Sequence, residues 1–120
     1  DCIDLADWSL CKVLLMNDSQ YPWFILVPRI EGCREIIDLD DKLQAQFWQE
    51  SAQLSRTLQA VFSPDKLNVA ALGNMVPQLH VHHIARFTTD AAWPKPVWGL
   101  HPAKPYTDEQ IAELKKALKL

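Results

Sequence analysis

Short apolar runs separated by turn-forming residues predict β-strands in the first part of the chain. Cys11–Met16 and Trp23–Val27 are two such runs. The intervening Asn17–Pro22 favours a turn, because its side chains bond the local backbone or fix φ. We therefore predict a β-hairpin that ends at Pro28, followed by a connection over Arg29–Ile37.

After Asp38 the spacing of apolar positions changes to three and four residues, the period of a helix. One long amphipathic helix is predicted from Asp38 to about Phe62, capped by Asp38 or Asp40 and ended by Ser63-Pro64. Its apolar face contains Leu39, Leu43, Phe47, Leu54, Leu58 and Val61.

The second half of the chain contains two more strand patterns, at Lys66–Leu72 and Gln78–Phe87. The Trp- and Pro-rich segment 92–99 is unsuited to a helix or a central strand and is predicted to lie over a surface. Thr107 and Gln110 resemble a capping box before a short C-terminal helix. This order of elements predicts an α+β fold with an antiparallel sheet.

Composition restricts the classes of protein to which the chain can belong. With 120 residues, 48% hydrophobic and 22% charged, we expect one domain over residues 1–120. A net charge of -3 argues against binding to nucleic acid or an anionic membrane, and the apolar runs are too short to span a bilayer. Three cysteines without a CxxC spacing favour a reduced, cytoplasmic protein. Because the chain starts at Asp1 without a methionine, we also expect that a few residues precede it.

Three of the four histidines lie within the run VPQLHVHHIAR, at positions 80, 82 and 83. Alternate side chains of a strand share a face, so Gln78, His80 and His82 are predicted on one face and His83 on the other, apolar face. We interpret His83 as a packed, hydrogen-bonded structural residue.

Two neighbouring imidazoles on one strand permit three interpretations. They are ordinary buried histidines, or two ligands of a metal ion, or a nucleophile with a partner that stabilises charge. A cupin-type metal site would need a carboxylate three or four residues after His82, and none occurs before Asp90. The metal interpretation is therefore disfavoured.

Residues Val76–Arg86 resemble the signature of the histidine triad (HIT) superfamily, His-φ-His-φ-His-φ-φ with φ apolar, in the form found in the fragile-histidine-triad type of dinucleoside polyphosphate hydrolase. The match is closer to bacterial HIT hydrolases than to galactose-1-phosphate uridylyltransferases. Gly73-Asn74-Met75 is similar to the family's Gly-Gln/Asn-Ser/Thr. Leu26-Val27-Pro28-Arg29 is similar to the family's apolar strand that ends in Pro and a basic residue.

The resemblance implies a HIT-like sheet of about five strands with one long helix and a short C-terminal helix. It implies that His80 is the nucleophile at the α-phosphorus of a purine nucleotide, assisted by His82 and by Gln78 in the place of the first histidine. The substrate classes implied are diadenosine polyphosphates and nucleoside phosphoramidates. No metal or cofactor is required in this scheme, and the protein is expected to be a homodimer.

The chemistry needs an unprotonated nitrogen on His80, with the other ring nitrogen donating to a fixed acceptor. In HIT proteins that acceptor is the backbone carbonyl of the first triad position, which Gln78 also has. His82 is expected to donate to the phosphate or the leaving atom, and Asn74 to bind the phosphate.

Further substrate contacts are expected from Asn17 and Asp18, which in HIT proteins lie on the ribose hydroxyls, although both are equally suited to forming a turn. Trp98 is expected either to cover the mouth of the site or to pack at a dimer interface. Because Gln78 and Met75 depart from the family pattern, we expect slower or narrower catalysis. The alternative is a HIT-derived nucleotide-binding or interaction protein with little turnover.

Overall fold

Five strands form one antiparallel sheet in a computed structural model that describes all residues 1–120. The strands are β1 (Cys2–Asp7), β2 (Cys11–Met16), β3 (Trp23–Pro28), β4 (Lys66–Ala70) and β5 (Val81–Arg86), in the spatial order β1-β2-β3-β5-β4. The helices are α1 (Asp41–Phe62) and α2 (Asp108–Leu118), with a short 3-10 helix at Ile36–Asp38. The predicted α+β fold class is confirmed.

Strand β1 was not identified from the hydrophobic pattern, and a fifth strand was expected only from the HIT resemblance. It pairs with β2 along the sheet edge, and its partly buried Ile3 and Leu5 alternate with exposed aspartates. An alternation of period two was therefore present, but it is short and lies at the chain terminus, where few neighbouring residues reinforce it.

Strand β5 is shorter than predicted, because it starts at Val81 and not at Gln78. The last pair of its ladder with β3 joins Val81 to Leu26. The backbone N–H of Leu79 donates to the carbonyl of Cys33 in the loop after β3, at 2.8 Å, and so takes no part in the sheet. Residues 78–80 consequently approach the strand from an irregular segment. Strand β4 likewise ends at Ala70, two residues before the predicted Leu72.

Two aspartates were predicted as alternative N-caps of α1, and the structure distinguishes between them. Asp40 is the N-cap, and its carboxylate accepts from the backbone N–H of Leu43 at 2.8 Å. The Asp38 carboxylate instead accepts from the backbone N–H groups of Arg34 and Glu35, so it closes the preceding 3-10 turn. The helix therefore begins three residues later than the earliest predicted position.

Both faces of the sheet are covered, one by α1 and the other by the irregular segment 92–98. The larger apolar cluster lies between the sheet and α1, and the smaller one lies between β3, β5 and the segment 92–98. The first cluster includes Val13, Leu15, Phe24, Leu26, Phe47, Leu54, Leu58 and Val81, and the second Tyr21, Trp23, Ile25, Ile84, Ala92 and Val97. Because β3 is buried on both faces of the sheet, its sequence is an almost continuous apolar run.

Arg86 anchors the segment that covers the second face. Its buried guanidinium donates to both carboxylate oxygens of Asp90, to Oδ1 of Asn68 and to the carbonyl of Lys95. Arg86 and Asp90 thus form a buried ion pair at the end of β5. Because five-donor guanidinium geometry is rigid, these bonds fix where the chain leaves β5. Neither α1 nor α2 combines the length and the hydrophobicity that a membrane-spanning helix needs.

Candidate active site

Gln78, His80 and His82 line one cavity, as the strand alternation predicts. His82 lies within β5, and His80 lies one residue before it, in the irregular segment. The imidazole rings of His80 and His82 are 5.2 Å apart between centroids and nearly perpendicular. The sheet therefore presents two imidazoles side by side to a common space.

The ring of His80 is oriented by a backbone carbonyl. Its Nδ1 lies 2.7 Å from the carbonyl oxygen of Gln78. A carbonyl only accepts, so Nδ1 carries the proton when the ring is neutral. The remaining nitrogen, Nε2, then has a free lone pair beside the cavity, which is the arrangement that a nucleophilic histidine needs.

His82 is buried, with 4% of its surface exposed, and is enclosed by aromatic rings. The indole Nε1–H of Trp23 donates to its Nδ1 at 2.9 Å, and the Trp98 ring packs on it edge-on at 5.1 Å. Burial, together with charge repulsion from His80 and His83, lowers the pKa of His82 from 6.5 to about 4. His82 is therefore neutral near pH 7.

The side chain of Gln78 is tied to the end of β3. Its Nε2 lies 3.2 Å from the carbonyl oxygen of Pro28 and donates to it. One amide hydrogen is used in this bond, which leaves the second hydrogen and the amide oxygen available on the cavity side. Gln78 is thus a fixed neutral polar group beside His80, while its backbone carbonyl holds the His80 ring.

The cavity beside these residues has a volume of about 320 Å³ and mostly apolar walls. The apolar lining comes from Cys2, Leu14, Met16, Ile25, Val27 and Val76. A second cavity of about 250 Å³ adjoins it and shares Met16, Val76, His80 and His82. His80 and His82 therefore lie between the two cavities and line both of them.

Asn74 and Trp98, both predicted to contact substrate, line the second cavity together with His80 and His82. Asn74 is exposed, in the loop between β4 and β5. Met75 is 93% exposed and Val76 58%, so this loop presents apolar side chains around the opening. The structure thus brings together Asn74, Trp98 and the triad segment.

Asn17 and Asp18 lie elsewhere and do not line either cavity. Oδ1 of Asn17 accepts from the backbone N–H of Tyr106 at 2.8 Å. Oδ1 of Asp18 accepts from the backbone N–H of Gln20 at 3.1 Å and of Lys104 at 3.3 Å. In this arrangement the two side chains attach the segment before α2 to the β2–β3 turn.

His83 occupies the opposite face of β5, as predicted, and is completely buried. Its Nδ1 donates to the carbonyl of Val81 at 3.0 Å, so its Nε2 accepts from the hydroxyl of Ser51 on α1 at 2.7 Å. Burial lowers its pKa to about 4. The prediction of a hydrogen-bonded structural histidine is confirmed.

The hydrophobic pattern did not indicate that Trp23 or the carbonyl of Pro28 belongs to the site. Trp23 stands first in an apolar run, where the pattern predicts only a packed side chain. The indole N–H of Trp23 is the signal that could have indicated a polar contact, since a buried indole N–H almost always finds an acceptor. Such a donor has to be matched with an acceptor on a neighbouring strand, and the sequence does not show which strand that is.

The titratable side chains do not assemble a metal centre. No group of three or more His, Cys, Asp or Glu side chains is arranged to hold a metal ion.

The HIT domain family model matches residues 5–89 of the chain. This range includes β2, β3, α1, β4 and β5, and therefore all of the triad segment. No curated protein matches the chain.

Two solved structures are similar to the chain over almost its full length. A histidine triad protein from Marinobacter aquaeolei VT8 is 54% identical, with a TM-score of 0.97 over 99% of this chain and 87% of that one. The histidine triad protein blr8122 from Bradyrhizobium japonicum is 50% identical, with a TM-score of 0.97 over 99% of this chain and 89% of that one.

A more distant structure shares the fold alone. The hypothetical histidine triad nucleotide-binding protein ST2152 from Sulfolobus tokodaii is 15% identical, with a TM-score of 0.73 over 99% of this chain and 82% of that one.

Proposed function

This chain belongs to the HIT domain family, and on that premise we propose that it cleaves nucleotides at the α-phosphate through a nucleotidyl-histidine intermediate on His80. The bond cleaved is a phosphoanhydride or phosphoramidate, and the nucleotide is a purine nucleotide such as a diadenosine polyphosphate or an adenosine phosphoramidate. No metal or cofactor is required.

The observation that carries the proposal is the 2.7 Å contact between Nδ1 of His80 and the carbonyl of Gln78. It leaves Nε2 unprotonated and directed to a cavity of suitable size for part of a nucleotide. The apolar walls suit the base, because a purine ring loses little by leaving water for an apolar surface. The polar groups, Asn74, Gln78 and His82, lie on the side of the imidazoles, where the phosphate would bind.

The mechanism begins when the lone pair of His80 Nε2 forms a bond to the α-phosphorus. The bond from phosphorus to the leaving group breaks, and its electron pair departs with the leaving atom. The imidazole becomes positively charged, and the Gln78 carbonyl stabilises its Nδ1–H. Water then attacks phosphorus and releases one proton to the solvent, the P–N bond breaks, and its electron pair returns to Nε2. His82 and Gln78 donate hydrogen bonds to the phosphate oxygens throughout.

Adenylate release tests this function directly. The protein is mixed with diadenosine tetraphosphate or adenosine phosphoramidate, and AMP is followed by chromatography. We expect AMP from the wild type, none above buffer from His80→Ala, and wild-type rates from His101→Ala, whose side chain is exposed and away from the cavity. Wild type quenched in alkaline denaturant, in which a phosphorus–nitrogen bond to histidine survives, should gain the mass of one nucleotidyl group, and His80→Ala should not.

The alternative is a nucleotide-binding protein of the same family without turnover. It is favoured by the bond between the Gln78 amide and the Pro28 carbonyl, which removes one donor hydrogen from the first triad position. AMP binding by calorimetry, without AMP release and without a trapped adduct, would favour this alternative over the enzyme.

We also propose that the protein forms a homodimer, as the family resemblance implies. Strand β4 supports this, because it lies at an edge of the sheet and presents Val69, which is 44% exposed. A second copy could pair along that edge. Light scattering should give twice the 13.7 kDa chain mass, and Val69→Lys should shift it towards the monomer.

A further inference from the structure

We propose that Trp23 is a positioning residue that holds His82 as a neutral imidazole protonated on Nε2, and thereby restricts the enzyme to leaving groups that depart without accepting a proton. The restriction on leaving groups rests on the proposed function above. The effect of Trp23 on His82 is a property of the free protein and does not depend on it.

The tautomer follows from the bond between the two rings. The indole Nε1–H of Trp23 lies 2.9 Å from Nδ1 of His82. An indole nitrogen is a donor only, so Nδ1 of His82 has to be the acceptor. The single proton of the neutral imidazole is therefore on Nε2, and this is the nitrogen left to face substrate.

The surrounding rings prevent His82 from turning away from this bond. Trp23 is itself buried, and its ring centroid lies 5.8 Å from that of His82. Trp98 packs edge-on against both rings, at 5.1 Å from His82 and 5.6 Å from Trp23. A flip of His82 would place a ring carbon against the indole N–H and leave a buried donor unpaired, which is unfavourable.

The same bond opposes protonation of His82. A doubly protonated imidazole has an N–H at Nδ1, which would then face the N–H of Trp23. The only charged or titratable neighbours on the cavity side are His80 and the thiol of Cys2, while His83 adjoins from the other face. The paired positions on the flanking strands, Ile25 and Ala70, carry no charge. No carboxylate is therefore present to favour the cation.

A neutral His82 donates a hydrogen bond but does not transfer its proton, because loss of that proton would leave an imidazolate anion. When His80 Nε2 bonds to the α-phosphorus, a phosphate leaving group departs with the electron pair as a stable anion. An alkoxide or an amine leaving group is too basic to depart in that way and needs a proton. Of the two bond classes in the proposed function, the geometry therefore favours phosphoanhydrides and disfavours phosphoramidates, whose amine leaving group depends on general-acid catalysis.

The first experiment reads the tautomer and titration of His82 by ¹⁵N NMR of histidine-labelled protein. In the wild type we expect an unprotonated Nδ1, a protonated Nε2 and no titration down to about pH 5, consistent with a pKa of about 4. Trp23→Phe keeps an aromatic ring but has no N–H, and we expect mixed tautomers and titration at higher pH. Tyr21→Phe is the matched control and should retain the wild-type tautomer, because Tyr21 packs edge-on against Trp23 at 6.3 Å and lines neither cavity.

The second experiment compares two AMP aryl esters of similar shape, the 4-nitrophenyl and the 4-methylphenyl ester, which differ in leaving-group basicity. General-acid catalysis contributes about 10²–10⁴-fold, so we expect the wild type to favour the nitrophenyl ester by about 100-fold or more. Near pH 6, Trp23→Phe should narrow the ratio of the two cleavage rates by about tenfold, while Tyr21→Phe should keep the wild-type ratio.

Three results would overturn the proposal: a proton on Nδ1 of His82 in the wild type, a Trp23→Phe variant with unchanged tautomer and titration, or equal cleavage of both esters by the wild type. The NMR measurement on the wild type is decisive even if Trp23→Phe does not fold. If no substrate is cleaved but the tautomers are as expected, the proposed function and the leaving-group restriction fail together, and the effect of Trp23 on His82 is supported.

Discussion

Gln78 contacts His80 through its backbone carbonyl, so this contact does not depend on which side chain stands at position 78. The carbonyl that accepts from Nδ1 of His80 is present whatever side chain stands at position 78. The side-chain amide bonds to the Pro28 carbonyl and offers one further hydrogen to a ligand. A glutamine in place of the first histidine therefore leaves the nucleophile intact.

Gln78→Ala should consequently lower AMP release only moderately. Loss of one neutral hydrogen bond is worth about 1 kcal/mol, or about fivefold in rate. The measurement compares steady-state AMP release by Gln78→Ala, His80→Ala and wild type at saturating substrate. A Gln78→Ala variant as inactive as His80→Ala would show that the glutamine side chain, and not its backbone carbonyl, is essential.

At the scale of elements, α1 is attached to β5 and to the start of β2 by polar groups on its buried side. Ser51 donates to His83 on β5, and Glu50 accepts from the backbone N–H groups of Leu10 and Cys11, both at 2.9 Å. Glu50 is 3% exposed, so its carboxylate satisfies donors that water does not reach. These bonds hold the helix in register behind the strand that carries the triad.

Glu50→Gln should destabilise the protein by about 1–3 kcal/mol. An amide has one acceptor oxygen, whereas the two carboxylate oxygens accept from both backbone N–H groups and from Gln46. One buried N–H would then face an NH₂ group. Urea unfolding measures the change, and Gln46→Ala is the control, because it removes only the partly buried partner. Equal stability of Glu50→Gln and wild type would contradict the assigned role.

At the scale of the whole molecule, the sheet buries imidazoles on both faces. His83 lies against α1, and His82 lies under Trp23 and Trp98. Burial lowers the pKa of each from 6.5 to about 4, so the folded state resists protonation of both. The unfolded chain takes up these protons near the ordinary pKa, and this difference links stability to pH.

Stability should therefore be complete above pH 6.5 and fall as the pH is lowered from 6.5 towards 4. The folded pKa is below the unfolded one, so the unfolded state binds more protons in this window. For His83 alone the slope reaches about 1.4 kcal/mol per pH unit. Urea unfolding at about pH 7.5, 6 and 5 measures this change in stability. His101→Asn is the control, because His101 is exposed and its replacement should leave the slope of stability against pH unchanged. Constant stability across this range would contradict neutral burial.

Much of the fold was predictable because its signals are local. The hairpin strands, the long helix and the capping box at Thr107 depend on residues a few positions apart. The helix start was ambiguous, because Asp38 and Asp40 are chemically identical and only the 3-10 turn distinguishes them. The ends of β4 and β5 were misplaced, because pairing with neighbouring strands decides where a strand stops.

The sequence alone determined which side chains of the triad segment share a face, because the two-residue period of extended chain is a local property. It therefore placed Gln78, His80 and His82 together and His83 opposite. Only the tertiary structure decided their partners: Trp23 for His82, Pro28 for Gln78 and the segment before α2 for Asn17 and Asp18. These partners lie 50 to 89 residues apart in the chain. Which donor meets which acceptor over such separations depends on strand order and register, which the packing of the whole domain sets.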